Sequence, residues 1–90
     1  MSKELYKILL SKNTNAQVTV AIEELAELQK ELTKFLRGKH ERTNILEEYV
    51  DVSIMLEQLQ LLFNFKKREI EKIKDLKIKR IEERMKNDSL

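Results

Sequence analysis

The sequence AIEELAELQKEL, residues 21–32, decides the class of the fold. Its apolar residues recur every three or four positions, and neither glycine nor proline interrupts it, a pattern typical of an amphipathic α-helix. Followed outward, the pattern predicts a helix over about 16–37, which we call the acidic helix. It should end at Gly38, because glycine readily takes the left-handed conformation that terminates helices.

The acidic helix has two different sides when its residues are placed about 100° apart around the axis. Eight apolar residues share one side: Val18, Ala21, Ile22, Leu25, Leu28, Leu32, Phe35 and Leu36. Four glutamates share an arc on the other side: Glu23, Glu24, Glu27 and Glu31. An apolar back with an acidic face is what any surface helix offers, so the glutamates alone do not indicate a site.

A further helix is predicted over about 44–63 and is called the apolar helix, because apolar residues surround nearly its whole axis. Such a helix is normally buried. Asn44, followed three residues later by Glu47, resembles a capping box that opens it. Glu48 and Asp51 lie one turn apart and point the same way, yet the helix contains no lysine or arginine.

Ionised carboxylates that are buried without a partner are very costly, so these acids need protonation, a base from elsewhere or a bound cation. A cation is the economical remedy, since carboxylates one turn apart on two facing helices supply four oxygen ligands. An all-oxygen ligand set suits Mg²⁺, or alternatively Mn²⁺. A di-iron carboxylate centre would need Glu-x-x-His on two helices, and the only histidine, His40, lies in the loop after Gly38.

The rest of the chain completes an all-α prediction for one domain, residues 1–90. One glycine, no proline and many straight-chain helix formers favour helices throughout. A short helix is predicted over about 3–10, and an amphipathic helix over about 66–87 follows a bend at Asn64. We call this last helix the basic helix, because residues 66–90 carry ten basic and six acidic side chains.

The composition excludes several classes of protein. The chain contains no cysteine, and therefore no disulfide framework, thiolate nucleophile or cysteine-bound zinc. The apolar run near residue 10 is too short for a signal peptide, and no segment approaches the ~20 apolar residues that a membrane helix needs. We therefore expect a soluble, cytoplasmic protein without a membrane partner.

Two acidic steps carry a resemblance to a known family. EELAE at 23–27, then twenty residues, then EYVD at 48–51 resembles the EExxE…ExxD signature of the MazG-like all-α nucleoside triphosphate pyrophosphohydrolases. The resemblance covers residues ~16–63 and fits the first and last helices only loosely. It implies a four-helix bundle, assembled into a homodimer or homotetramer, that uses Mg²⁺ to cleave a (deoxy)nucleoside triphosphate into the monophosphate and pyrophosphate.

The resemblance also implies roles for individual residues. Four of them match the metal ligands of the family: Glu24, Glu27, Glu48 and Asp51. Glu23 matches the leading glutamate, which orients a water or a ligand, so the catalytic candidates are Glu23, Glu24 and Glu27. The substrate phosphates need further cations, for which the candidates are Lys30, Lys34, Lys77 and Arg80.

Two other classes of function compete with the enzyme. A helical oligomerisation or partner-binding protein explains the apolar pattern equally well, but leaves Glu48 and Asp51 without a reason. A nucleic-acid binder would use the basic helix, where acidic residues are interleaved with the basic ones and no aromatic residue lies beyond Phe65. Because such surfaces show basic residues in excess, often with aromatic stacking platforms, nucleic acid is the less favoured partner.

Overall fold

The protein forms helices throughout the part of the chain that the computed structural model describes, residues 13–88. Helix α1 spans Thr14–Leu36, α2 spans Arg42–Leu62 and α3 spans Lys67–Asp88, and these described residues contain no strand. The prediction of an all-α protein is confirmed. The short helix predicted over about 3–10 lies outside the described residues.

Helix α1 is the acidic helix, and local hydrogen bonds define both of its ends. At the start, the backbone N–H of Ala16 donates to Oδ1 of Asn13 at 2.7 Å, so the helix begins two residues earlier than expected. At the end, Gly38 has φ +72°, and the backbone N–H of Lys39 donates to the carbonyl of Lys34 at 2.9 Å. This left-handed turn confirms the predicted stop at Gly38.

The start of α2, the apolar helix, differs from the prediction. The helix begins at Arg42, and the side chain of the N-cap residue, Glu41, makes no capping hydrogen bond. The proposed capping box is therefore wrong, because Asn44 already lies inside the first turn. The backbone N–H of Ile45 donates to the carbonyl of Glu41 at 3.2 Å, which is the ordinary first hydrogen bond of a helix that begins at Arg42.

The turn between α2 and α3 confirms the bend that the sequence predicted. Asn64 has φ 55°, and the backbone N–H of Phe65 donates to the carbonyl of Gln60 at 2.9 Å. The rings of Phe63 and Phe65 stack with their centroids 5.8 Å apart. The next backbone N–H, that of residue 66, donates to a carboxylate oxygen of Glu69 at 3.0 Å and starts α3. Backbone and ring contacts together fix the direction in which α3 leaves.

Helices α1 and α2 pack side by side and, being joined by a short loop, run antiparallel as a hairpin. The apolar residues buried between them are Ala21, 3 % exposed, and Val52, 7 % exposed. Helix α1 turns the edge of its apolar side toward α2, so most of that side faces outward, with Ile22 62 % exposed.

The described residues do not enclose helix α2, although its apolar surroundings predicted burial. Among the described helices, α1 alone packs closely against it, and one helix covers only one side of another. Large side chains such as those of Tyr49 and Leu56 are therefore exposed.

Helix α3 projects from the hairpin and scarcely contacts it. None of its residues is buried, and its predicted apolar stripe is exposed along the whole helix. The stripe contains Ile70, Ile73, Leu76, Ile81 and Met85. Among the helices described here, none is both long enough and apolar enough to cross a membrane.

Candidate metal centre

Three carboxylates from the two helices of the hairpin meet where those helices touch. One oxygen each of Glu24 on α1 and of Glu48 and Asp51 on α2 lie within 4.8 Å of one another. Glu48 and Asp51 share a face of α2 because they are three residues apart. We call these three residues the acid cluster.

A seven-residue spacing along α1 explains why Glu24 points toward α2. Gln17, Glu24 and Glu31 follow one another at intervals of about two turns and therefore lie on one line of the helix. Gln17 and Glu31 are each only 8 % exposed, and Glu24 between them is half-buried. Polar residues thus occupy the contact line of α1, where a simple amphipathic helix would carry apolar ones.

The acid cluster has no basic partner within residues 13–88. The ion pairs of this part of the chain join Lys34 to Glu31 and Lys67 to Glu71, and neither involves the cluster. Oε2 of Glu48 is buried and accepts no hydrogen bond. Of the three remedies for the acids of α2, a base from the same chain is therefore absent from the described residues.

The surroundings raise the pKa of two carboxyl groups of the cluster. Burial is the main cause for both Glu24 and Glu48, and the negative charge of Asp51 is the next. Protonated Glu24 also donates a hydrogen bond to Asp51, which further raises its pKa. The exposed carboxylate of Glu27 acts on both groups in the same direction. The site therefore concentrates negative charge that either protons or a cation would neutralise.

The structure places the remaining predicted acids beside the cluster rather than in it. Glu23 and Glu27 are exposed on α1, close enough for their charges to act on Glu24. Three of the four predicted metal ligands are therefore brought together, while Glu27 lies at the rim.

Glu31 differs most from its expected setting. One of its oxygens forms an ion pair with Lys34 at 3.2 Å, but the other, Oε2, is buried without a hydrogen-bond partner. Its charge also helps to raise the pKa of Glu48. The seven-residue spacing from Glu24 was the sequence signal that could have shown this burial.

The candidate phosphate-binding cations are spread over the molecule. Lys30 is exposed and follows Glu27 by three positions, so it lies on the same face of α1. Lys34 is engaged by Glu31. Lys77 and Arg80 are exposed on α3, which scarcely contacts the hairpin, so a single chain does not bring them to the acid cluster.

The residues of the acid cluster fit a hard divalent cation. Every donor is a carboxylate oxygen, with no sulfur or imidazole, and this chemistry favours Mg²⁺ or Mn²⁺ over zinc or copper. The buried, unpartnered Oε2 of Glu48 offers a lone pair that nothing else in the described chain uses. A cation bound there would also relieve the repulsion among the three carboxylates.

None of the family models, curated proteins and solved structures compared with the chain matches it. The resemblance to the MazG-like family therefore rests on the residues of the two acidic steps and on nothing outside the sequence. The chemistry of the acid cluster has to support any functional conclusion by itself.

Proposed function

We propose that the protein is a Mg²⁺-dependent nucleoside triphosphate pyrophosphohydrolase of the MazG-like type. It would cleave a (deoxy)nucleoside triphosphate into the monophosphate and pyrophosphate, and Mn²⁺ would suit the same ligands. The observation that carries the proposal is the acid cluster, in which three carboxylates meet between two helices without a base. Its residues include one member of the first acidic step and both outer members of the second.

The acid cluster supplies the ligands in this proposal. Glu24, Glu48 and Asp51 would hold the cation, with Glu27 available from the next turn of α1. When bound, a divalent cation neutralises phosphate charge and lowers the pKa of a coordinated water. The half-buried position of Glu24 and Glu48 reduces screening by solvent, which strengthens their attraction for positive charge.

The exposed acids beside the cluster are suited to proton transfer. Glu23 or Glu27 would accept a proton from a water as its oxygen attacks the α-phosphorus. The bond from the α-phosphorus to the bridging oxygen then breaks, and that oxygen leaves with pyrophosphate. Both glutamates are free to rotate toward the substrate because they are exposed on α1.

Cations of the chain would bind the outer phosphates. Lys30 is the candidate on the hairpin, since it is exposed on the face that carries Glu27. Lys34 is already paired with Glu31 and is the weaker choice. Lys77 and Arg80 would reach a substrate only if α3 came from a second chain or moved relative to the hairpin.

Self-association belongs to the same proposal. The resemblance implies a homodimer or homotetramer, in which hairpins of different chains would pack together. Exposed apolar side chains on both helices of the hairpin, such as Leu25, Leu32 and Leu56, support this arrangement. A cytoplasmic location, where nucleoside triphosphates are abundant, is part of the proposal as well.

A panel of the eight common ribo- and deoxyribonucleoside triphosphates with Mg²⁺ tests the activity. Release of pyrophosphate without orthophosphate from any of them is the expected result, because it places the cut between the α and β phosphates. Glu82→Gln, which removes a carboxylate from exposed α3, is the matched control and should retain the activity. Orthophosphate as the primary product, or no turnover with either Mg²⁺ or Mn²⁺, would contradict the proposal.

A helical oligomerisation or partner-binding protein is the second candidate. The exposed apolar residues of all three helices favour it. It gives no reason for three carboxylates to meet without a base, and for this it ranks below the enzyme. A nucleic-acid binder ranks last, because acidic residues interrupt the basic surface of α3, and a salt-sensitive gel shift would be its test.

A further inference from the structure

The chain exposes more surface than a folded monomer of its size. A monomer of 10.8 kDa exposes roughly 5,500 Å² by the usual scaling of surface with mass. This chain exposes 7945 Å². Two copies that each covered the excess would bury roughly 5,000 Å², the upper part of the range for obligate dimers. Covering this excess area therefore requires a partner that contacts a large part of the chain.

Helix α3 presents an apolar face whose charges are positive between Ile70 and Met85, with Asp88 on the same face at its C-terminal end. Four exposed apolar residues lie on this face: Ile70, Ile73, Ile81 and Met85. Three basic residues lie among them: Lys74, Lys77 and Arg84. We call this surface the α3 stripe. Near its start it borders an open apolar groove, whose walls include Phe65, Ile70 and Ile73.

Helix α2 presents the opposite combination on the side that faces away from α1. Four apolar residues lie there at successive spacings of four, four and seven: Leu46, Val50, Ile54 and Leu61. Ile54 is half-buried and the other three are more than 40 % exposed. The charged residues of this side are Glu47 and Glu57, both exposed. We call this surface the α2 edge.

The charges of the two surfaces have matching spacings. Glu47 and Glu57 are ten residues apart, which is about 15 Å along a helix. Lys74 and Arg84 on the α3 stripe are separated by the same distance. With the helices antiparallel, Glu57 comes level with Lys74, and Glu47 comes level with Arg84.

The same alignment also matches three apolar pairs, whereas Ile54 comes level with Lys77, and Ile73 with Gln58. It brings Leu46 level with Met85, Val50 with Ile81, and Leu61 with Ile70. In every one of these pairs the two residue numbers add to 131, so the pairing has its midpoint between Phe65 and Lys66. This midpoint falls inside the turn that joins α2 to α3. Two identical chains related by a two-fold axis at the turn would therefore form the alignment twice, once on each side.

The turn itself keeps the two surfaces of one chain apart. Its hydrogen bond from Phe65 to Gln60 and the stacked rings of Phe63 and Phe65 direct α3 away from α2. A second copy of the chain is then the partner whose charges and residue spacing match these two surfaces. Phe63 and Phe65, each 51 % exposed, would lie next to the same residues of the second copy.

We propose that two copies of the chain associate through a reciprocal contact in which the α3 stripe of each packs antiparallel on the α2 edge of the other. The contact adds a specific surface to the self-association within the proposed function. It does not depend on hydrolase activity, because neither surface includes a residue of the acid cluster. It also leaves the Leu25 and Leu32 side of the hairpin open for further assembly.

Disulfide trapping tests the contact directly, because the natural chain has no cysteine. Val50→Cys and Ile81→Cys are made in separate chains, mixed and mildly oxidised. The expected product is a cross-linked dimer in the mixture and little cross-linking of either variant alone. Ile81→Cys that cross-links to itself would instead show α3 pairing with α3, and would overturn the proposal. A mixture that stays uncross-linked would overturn it equally.

Charge reversal supplies an independent test by sedimentation equilibrium. Lys74→Glu with Arg84→Glu, and Glu47→Lys with Glu57→Lys, should each weaken association at least tenfold, since like charges then face each other. An equimolar mixture should regain the association of the natural chain through the reversed pairs. Circular dichroism verifies that each variant is helical. A natural chain that is monomeric at 100 µM (about 1 mg/ml), or a mixture that fails to recover, would overturn the proposal whether or not the protein hydrolyses nucleotides.

Discussion

The hairpin and α3 differ in how they arrange their charges. Helices α1 and α2 together carry eight acidic and three basic residues, whereas α3 carries six acidic and nine basic ones. In the hairpin, three acids are pressed together at a helix contact without a base. In α3, both signs alternate along an exposed helix. The comparison teaches that a functional site is indicated by like charges that the fold brings together, and not by charge density.

The largest expected effect tests whether the acid cluster performs chemistry. Glu48→Gln and Asp51→Asn should each lower turnover of the best substrate by about a hundredfold or more, because each removes a charged ligand from the cation. The helical circular dichroism spectrum should be retained. Glu82→Gln on α3 is the control. If either cluster variant keeps nearly full activity, the assignment of the site is wrong, and the two regions do not differ in function.

The next effect concerns stabilisation by the cation. A ligand that binds only the folded state at ten times its Kd adds about 1.4 kcal/mol, which raises the Tm by roughly 6–11 °C for a domain of this size. Mg²⁺ should therefore raise the Tm of the natural chain but not that of Glu48→Gln. The measurement is a thermal melt with and without Mg²⁺ at matched ionic strength. An unchanged melt together with absent activity would favour the assembly protein.

The pH dependence of stability without divalent ions should reveal the raised pKa values. The pKa of Glu24 and of Glu48 is raised above the ordinary 4.5, so the folded state binds these protons more tightly than the unfolded chain. Their contribution to stability therefore falls as the pH rises from about 4.5 through the raised values and is constant above them. This loss reflects the burial and mutual repulsion of the carboxylates.

The variant Glu24→Gln isolates this effect. Its amide still donates a hydrogen bond toward Asp51 but carries no charge, so its stability relative to the natural chain should increase between pH 4 and pH 7. Urea denaturation in EDTA at several pH values measures the difference. A difference in stability that is the same at every pH would show that the folded structure does not raise the pKa of Glu24. The hairpin would then differ from α3 only in how it positions its carboxylates.

The sequence predicted the parts of the fold that depend on local chemistry. Gly38 and Asn64 have positive φ values, which few other residue types tolerate. The helix end at Gly38 and the bend at Asn64 were therefore predicted correctly. The predicted cap at Asn44 was wrong, because the helix begins two residues earlier, at Arg42. Local rules thus succeed where one residue type is strongly preferred and fail where several alternatives have similar energies.

The acid cluster could be predicted only in part, because its geometry depends on which side of α1 meets α2. The one-turn spacing of Glu48 and Asp51 was sufficient to place them together. The burial of Glu31 was not predicted, since the apolar residues of α1 favoured a different contact side. The exposed apolar side of α1 has no partner within the described chain, and periodicity cannot distinguish a side that packs within one chain from a side that packs between chains.

The last prediction compares the two ion pairs of the described chain. Lys67 and Glu71 lie 4.0 Å apart with side chains 85 % and 60 % exposed, so Lys67→Met should change the free energy of unfolding by about 0.5 kcal/mol or less. Lys34 lies 3.2 Å from Glu31, whose side chain is 10 % exposed. Lys34→Met leaves that carboxylate buried without a partner and should cost about 1–3 kcal/mol. Equal losses in urea denaturation would mean that the hairpin tolerates unpaired acids as easily as α3 does, and the acid cluster would then need no cation.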